Sequence, residues 1–84
     1  MQQYVFPVVF MKEENNAYTA YCPDLNLTSD GATIEEAYLF IQDFITVYCS
    51  YAKKMEDENI LPTKFEKIAD QNKSHLVMLV DAFI

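Results

Sequence analysis

The stretch from Gly31 to Met55, GATIEEAYLFIQDFITVYCSYAKKM, constrains the fold of this chain more than any other. Its apolar residues recur in steps of three and four, the spacing of one helix face. Thr33 has the residue type of an N-cap, and Glu36 three positions later completes a capping box. The stretch therefore predicts one long amphipathic helix, roughly 35 Å in length. Its predicted core stripe consists of Ile34, Ala37, Tyr38, Ile41, Ile45, Tyr48, Ala52 and Met55.

A second apolar row runs beside this stripe, at Phe40, Phe44, Val47 and Tyr51. Together the two rows cover about half of the helix circumference, which is more than one sheet face needs. Two interpretations remain open. A C-terminal loop or strand covers the second row, or the row is partly exposed and forms a dimer contact with another chain.

The totals indicate a single folded domain that spans residues 1–84. Hydrophobic residues make up 51% of the chain, including six Phe and six Tyr, which excludes a disordered tail. The net charge of −7 argues against direct binding of DNA or RNA phosphate, which requires a basic surface. An acidic surface instead suits a basic protein partner, because opposite fields speed their encounter.

The sequence also indicates the cellular compartment of the protein. No apolar run approaches the roughly 20 residues of a membrane span, and the start MQQYVFPVVF lacks the basic region of a signal peptide. Cys22 lies in a predicted strand and Cys49 on the polar flank of the predicted helix, without a CxxC spacing. Two free thiols are expected of a reducing compartment, so we expect a cytoplasmic protein.

The remaining segments predict a small sheet. Val, Phe and Tyr dominate the first segment, where Pro7 marks an edge or a bulge. The last segment carries a continuous apolar run, which suits a strand buried on both faces, although periodicity alone does not separate it from a buried helix segment. The fold class is therefore α+β, a small antiparallel β-sheet in the order β-β-β-α-β packed against one long α-helix. The predicted strands are Gln3–Lys12, Ala17–Cys22, a third around Leu27 and Thr28, and Leu76–Val80, with a turn or short helix at Phe65–Ile68 and a loop at Pro62.

Residues that could carry catalysis do not form a recognisable pattern. A metal nuclease needs several converging carboxylates, and the spacing of Asp24, Asp30 and Asp81 does not require convergence. His75 has no visible nucleophile partner and reads as a surface or strand-start residue. Two separated cysteines and one histidine do not suggest a zinc site. We therefore expect no catalytic residue, no cofactor and no metal.

Three segments together resemble the HicB antitoxin family, over nearly the whole chain. They are Pro23-Asp24-Leu25 at a strand end, Gly31-Ala32-Thr33-Ile34-Glu35-Glu36-Ala37 at the helix start, and Ile60-Leu61-Pro62 in a loop. The chain departs from the family where Asn26-Leu27 replaces a usual glycine. It also stops at the last strand, where family members often continue into a DNA-binding segment, so operator binding is not carried over.

The resemblance implies a binding role. HicB antitoxins cover the active site of HicA, a small basic toxin that cleaves mRNA with a catalytic histidine, and family members commonly form dimers or larger homo-oligomers. The toxin contact implied for this chain is Asp24, Leu25, Asn26, Leu27, Thr28 and Asp30, with the exposed helix edge. Since the antitoxin fold also resembles a truncated ribonuclease H, a degenerate metal-dependent nuclease is the alternative, and an orphan regulatory module without a toxin is a third.

Overall fold

The computed structural model describes residues 3–54 and 65–83. A four-stranded antiparallel sheet packs against one long helix, so the predicted α+β class is confirmed. The predicted helix end at Met55 and the predicted loop at Pro62 lie outside the described residues. The elements are β1 (Gln3–Lys12), β2 (Tyr18–Cys22), β3 (Leu27–Gly31), α1 (Ile34–Lys54), α2 (Phe65–Gln71) and β4 (Leu76–Phe83).

The sheet has the strand order β3-β2-β1-β4, with every neighbouring pair antiparallel. Strand β1 is therefore interior, although Pro7 predicts an edge or a bulge. The ladder with β2 covers only Val9–Lys12, whereas the ladder with β4 runs without a bulge and pairs Pro7 with Leu79. At Pro7 the strand thus has a partner on one side only, which accommodates a residue without an N–H.

Asparagines close both hairpins in the left-handed conformation. Asn16, between β1 and β2, has a φ of 65°, and Asn26, between β2 and β3, has a φ of 54°. Asparagine tolerates this region because its short side chain can bond the local backbone. The turn after β1 is further held by a hydrogen bond of 3.0 Å from the Asn16 N–H to the Glu13 carbonyl oxygen.

The start of α1 is capped largely as predicted. The Glu36 N–H donates to the Thr33 hydroxyl oxygen at 3.1 Å. The Glu36 carboxylate accepts a hydrogen bond of 3.3 Å from the N–H of Ala32, one residue before the cap. The first bond satisfies a backbone donor that the first helical turn leaves unpaired, and the second satisfies the N–H just before the cap.

Helix α1 covers one sheet face through residues spaced four apart, Ala37, Ile41, Ile45 and Cys49, all of which are buried. The prediction that Cys49 lies on a polar flank is wrong, and so is the placement of Tyr48 in the core stripe, since that side chain is 40% exposed. The sheet follows the i, i+4 ridge of the helix, which brings position 49 beneath it. A thiol is small and apolar enough to pack there.

The second sheet face is covered less completely. Pro7, Val9 and Ile68 are buried, and α2 packs against β1 and β4. The prediction that the run Leu76–Val80 of β4 is buried on both faces is wrong, because Leu76 and Leu79 are each about half exposed. The reason is that β4 is an edge strand and α2, with seven residues, is too short to cover its length. Neither described helix is long and apolar enough to cross a membrane.

Candidate protein-binding surface

The residues predicted to contact a toxin lie together in the hairpin of β2 and β3. Cys22 pairs with Leu27 at the end of the ladder, and residues 23–26 form the turn. The Tyr21 hydroxyl lies 3.4 Å from the Asn26 side-chain oxygen, to which it donates across the mouth of the turn. This ladder and the left-handed Asn26 position the turn relative to the sheet.

Burial divides the predicted contact residues into two groups. Leu25 and Leu27 are half-buried and pack against the core. Asn26, Thr28 and Asp30 are exposed, and alternation along β3 places Thr28 and Asp30 on the face opposite α1. The exposed group can therefore meet a partner, while the leucines anchor the segment; Asp24 is half-buried.

An acidic cleft lies at the open end of this hairpin, away from residues 23–26 and beside the turn between β1 and β2. It has a volume of about 620 Å³ and is lined by Glu13, Glu14, Asn15, Ala17, Thr19 and Asp30. The Thr19 hydroxyl donates to an Asp30 carboxylate oxygen at 3.0 Å and orients that carboxylate. Glu13, Glu14 and Asp30 thus bring three acidic residues to the lining of one cleft, which favours a basic partner.

The sequence alone did not single out Glu13 and Glu14 as contact residues. Their proximity to Asp30 follows from the two hairpins, because β2 pairs with both β1 and β3 and Thr19 lies opposite Asp30. The sequence shows only that Glu13 and Glu14 lie next to the turn between β1 and β2 and that Asp30 lies near the end of β3. That these positions are neighbours follows only when the register of both strand pairs is known.

Carboxylates in the described ranges do not form a metal centre. Within residues 3–54 and 65–83, no three His, Cys, Asp or Glu side chains lie close enough together to hold an ion. Asp81 lies on β4, which is separated from β3 by two strands, so the order of the sheet keeps it away from Asp30.

A second candidate surface lies on α1. Phe40, Phe44, Val47 and Tyr51, called here the outer row, are 44 to 69% exposed. Strand β4 pairs with β1 and does not cover the outer row, whereas the loop of the same interpretation, residues 55–64, lies outside the described residues. The alternative, a contact with another chain, stays a prediction.

An apolar groove of about 510 Å³ lies apart from the outer row, where the start of α1 meets β4. It is lined by Ile34, Glu35, Tyr38, Leu39 and Met78. Leu39 is 57% exposed and lies about 100° around the helix from Phe40. The exposed apolar residues of α1 therefore form two separate surfaces.

The two thiols are free and buried in the core. Burial raises the pKa of Cys22 to about 11, and the charge of Asp24 adds to this against backbone hydrogen bonds that lower it. Burial also raises the pKa of Cys49. Both groups are held as neutral thiols, which are poor nucleophiles and metal ligands. His75 is exposed directly before β4, as expected of a strand-start residue.

Comparison with known proteins identifies a close structural relative. No protein-family model and no curated protein sequence matches the chain. The N-terminal domain of the Burkholderia pseudomallei antitoxin HicB superposes with a TM-score of 0.84 at 19% sequence identity, over 96% of this chain and 100% of that domain. The chain therefore has the fold of the N-terminal domain of a HicB antitoxin.

Proposed function

We propose that this chain is an antitoxin-like module that binds a small basic HicA-type ribonuclease toxin and neutralises it by covering its active site. It acts by binding and not by catalysis. The setting is the cytoplasm, where mRNA is the toxin's substrate and where reducing conditions suit two free thiols. The observation that carries the proposal is the acidic cleft beside the β2–β3 hairpin, on a domain with the antitoxin fold.

Charge supports this assignment. A ribonuclease that binds RNA phosphate presents a basic surface, and Glu13, Glu14 and Asp30 bring three acidic residues to the lining of one cleft. The chain as a whole carries a net charge of −7, so its field also attracts such a partner over longer distances. Carboxylates that bind the toxin's basic residues compete with RNA for the same surface.

The six predicted contact residues take different parts in this proposal. Asn26, Thr28 and Asp30 meet the toxin directly, because they are exposed on the hairpin. Leu25 and Leu27 hold the hairpin against the core, and Asp24 belongs to the turn that they anchor. Replacing an exposed member should weaken binding without unfolding the domain, whereas replacing a leucine should affect both.

Calorimetric titration tests the proposal with a HicA-type toxin whose catalytic histidine has been replaced, so that the toxin can be produced. Glu14→Lys places a positive charge in the cleft and should raise the dissociation constant at least about 10-fold, roughly 1.4 kcal/mol. Glu66→Lys is the matched control, because it makes the same charge change on an exposed residue of α2. It should change the dissociation constant less than about 3-fold.

The salt dependence of toxin binding and an assay for ribonuclease activity give results that could contradict the proposal. Binding should weaken as salt rises, since exposed charges are screened. If Glu14→Lys and Glu66→Lys changed the dissociation constant equally, the cleft would not be part of the toxin contact. Failure to bind or to restore growth against any HicA-type toxin, together with cleavage of labelled RNA by the purified chain with Mg²⁺ or Mn²⁺, would establish the nuclease instead.

A further inference from the structure

Strand β4 leaves one side of its backbone open, because it lies at the edge of the sheet. Its run Leu76–Val80 contains no charged residue, and its ladder with β1 has no bulge. Sheet edges are commonly protected by charges, bulges or coverage, since an exposed edge pairs readily with another strand. Strand β3, at the opposite edge, carries the charge of Asp30, whereas the edge of β4 is apolar along this run.

Pro7 shows which backbone groups of β4 face outwards. It pairs with Leu79 and has no N–H, so the two residues cannot exchange both bonds of a hydrogen-bonded antiparallel pair. The N–H and C=O of Leu79 therefore point away from β1, and by alternation those of Val77 and Asp81 do as well. The Asp81 carbonyl oxygen accepts a hydrogen bond of 2.9 Å from the Gln42 side chain of α1, which agrees with this direction.

The backbone of Val77 and Leu79 is thus available to an added strand. Within residues 3–54 and 65–83, no backbone hydrogen bond from outside the sheet reaches either residue. Each offers one N–H donor and one C=O acceptor. Leu79 is 50% exposed, so solvent and a partner can approach this part of the edge.

The apolar groove at the start of α1 adjoins the same edge. Met78 lines it from β4, and Ile34, Tyr38 and Leu39 line it from the helix. In an added strand, the residue opposite Met78 directs its side chain to the face that Met78 shares with α1, and so towards the groove. The groove volume of about 510 Å³ lies within the roughly 300–1,000 Å³ of ligand clefts.

We infer that β4 and this groove bind an extended segment of another protein, which adds to the sheet as a further antiparallel strand. The groove takes one apolar side chain of the segment, called here the anchor, at the position opposite Met78. Backbone bonds to a sheet edge, combined with a pocket for alternate side chains, are how extended peptides are recognised. The site lies at the opposite edge from β3 and its candidate toxin contact, so the inference does not depend on the toxin.

Charge defines a second feature of the bound segment. Asp81 has Val5 as its neighbour on β1, so the ladder places no basic residue directly opposite its carboxylate. Glu35 adds a second carboxylate at the groove. A lysine or arginine opposite Asp81 forms a favourable cross-strand pair, and in an antiparallel segment it precedes the anchor by three residues. A basic and apolar segment also suits a chain with a net charge of −7.

Fluorescence anisotropy tests the inference with a short labelled peptide that has Leu as its anchor, Lys three residues before it and Thr elsewhere. Wild type should bind this peptide with a dissociation constant in the micromolar range. N-methylation of the two residues that flank the anchor removes the donors directed at Val77 and Leu79, and should raise the constant at least about 10-fold. N-methylation of the anchor itself is the matched control, because its N–H points away from β4, and should change the constant less than about 3-fold.

Two variants of the chain test the groove. Leu39→Glu places a charge against the apolar anchor and should raise the dissociation constant of the peptide at least about 10-fold. Phe44→Glu is the matched control, because Phe44 is similarly exposed on the same helix but belongs to the outer row. It should change the constant less than about 3-fold, and circular dichroism should show unchanged helix content in both variants.

Five results would overturn the inference. They are no binding of the peptide, equal weakening by both kinds of N-methylation, equal weakening by Leu39→Glu and Phe44→Glu, a wild-type dimer that Leu39→Glu dissociates, and displacement of bound toxin by the peptide. The dimer would assign the edge to a second copy, and the displacement would assign it to the toxin. Failure of toxin binding while the peptide still binds as described would contradict only the proposed function.

Discussion

The buried hydroxyl of Ser29 donates a hydrogen bond of 2.9 Å to the backbone oxygen of Ala37, joining the middle of β3 to the first turns of α1. Two residues later Gly31 ends β3 and brings the strand backbone directly against the helix. A Cβ at Gly31 would lie 2.4 Å from the Ala37 nitrogen and 2.9 Å from the Glu36 carbonyl carbon. The strand that carries the candidate toxin contact is thus attached to the helix that carries the candidate dimer contact.

Replacing Ser29 with Ala should lower the free energy of unfolding by about 1 kcal/mol, the usual net contribution of one hydrogen bond. Urea denaturation gives this value from the shift of the midpoint. Ser50→Ala, on the exposed side of α1, is the control and should stay within about 0.5 kcal/mol of wild type. Equal losses in both variants would show that the bond to Ala37 contributes nothing measurable.

Gly31→Ala should be more damaging, with a loss of about 3 kcal/mol or a failure to fold. The added methyl group meets backbone atoms of α1, which cannot rotate away as a side chain can. Glycine is needed here for close approach, since its φ lies outside the left-handed region. Ala32→Ser adds one atom at an exposed neighbouring position and should be almost neutral by the same denaturation measurement. A stable Gly31→Ala variant would show that β3 and α1 separate more easily than this contact implies.

Stability should fall between pH 9 and 11 because of Cys22. Below pH 9.0, the ordinary pKa of the thiol, both the folded and the unfolded chain hold the proton, and the stabilisation is fully present. As pH rises towards the folded pKa of about 11, the unfolded chain releases its proton first, so the free energy of unfolding decreases. The loss should reach roughly 2 kcal/mol by pH 11.

Cys22→Ala isolates this contribution, because tyrosines and lysines titrate in both proteins. The difference in the free energy of unfolding between wild type and Cys22→Ala should narrow as pH rises from 9 to 11. Chemical denaturation at each pH measures it. A difference that stays constant over this window would mean that the folded and unfolded thiols titrate alike. The difference in the free energy of unfolding between wild type and Cys49→Ala should also narrow as pH rises, since burial also raises the pKa of the Cys49 thiol.

Local signals in the sequence were sufficient to predict strand β1 and the start of helix α1. The segment Gln3–Lys12, rich in Val, Phe and Tyr, is a strand with those bounds, and the helix predicted from Thr33 and its capping Glu36 begins at Ile34. These features depend on neighbours within a few residues, so pattern and propensity report them directly. The resemblance to HicB antitoxins, based on short motifs, is confirmed for the fold.

Errors appeared where a residue's environment depends on distant parts of the chain. Helical spacing permits either Tyr48 or Cys49 in the core, and only the direction in which α1 lies on the sheet selects Cys49. The apolar run of β4 suits an interior strand as well as an edge strand, and the strand order places it at the edge. The meeting of Glu13 and Glu14 with Asp30 requires the register of two hairpins.

The sequence by itself determined the secondary structure, the acidic character and the two apolar rows of the long helix, because each depends on residue type and short-range spacing. The tertiary structure decided which row is buried, which strand is at the edge and which carboxylates share a cleft. Those outcomes depend on how elements far apart in the chain pack against one another, and the free energy of that packing is not contained in any one segment.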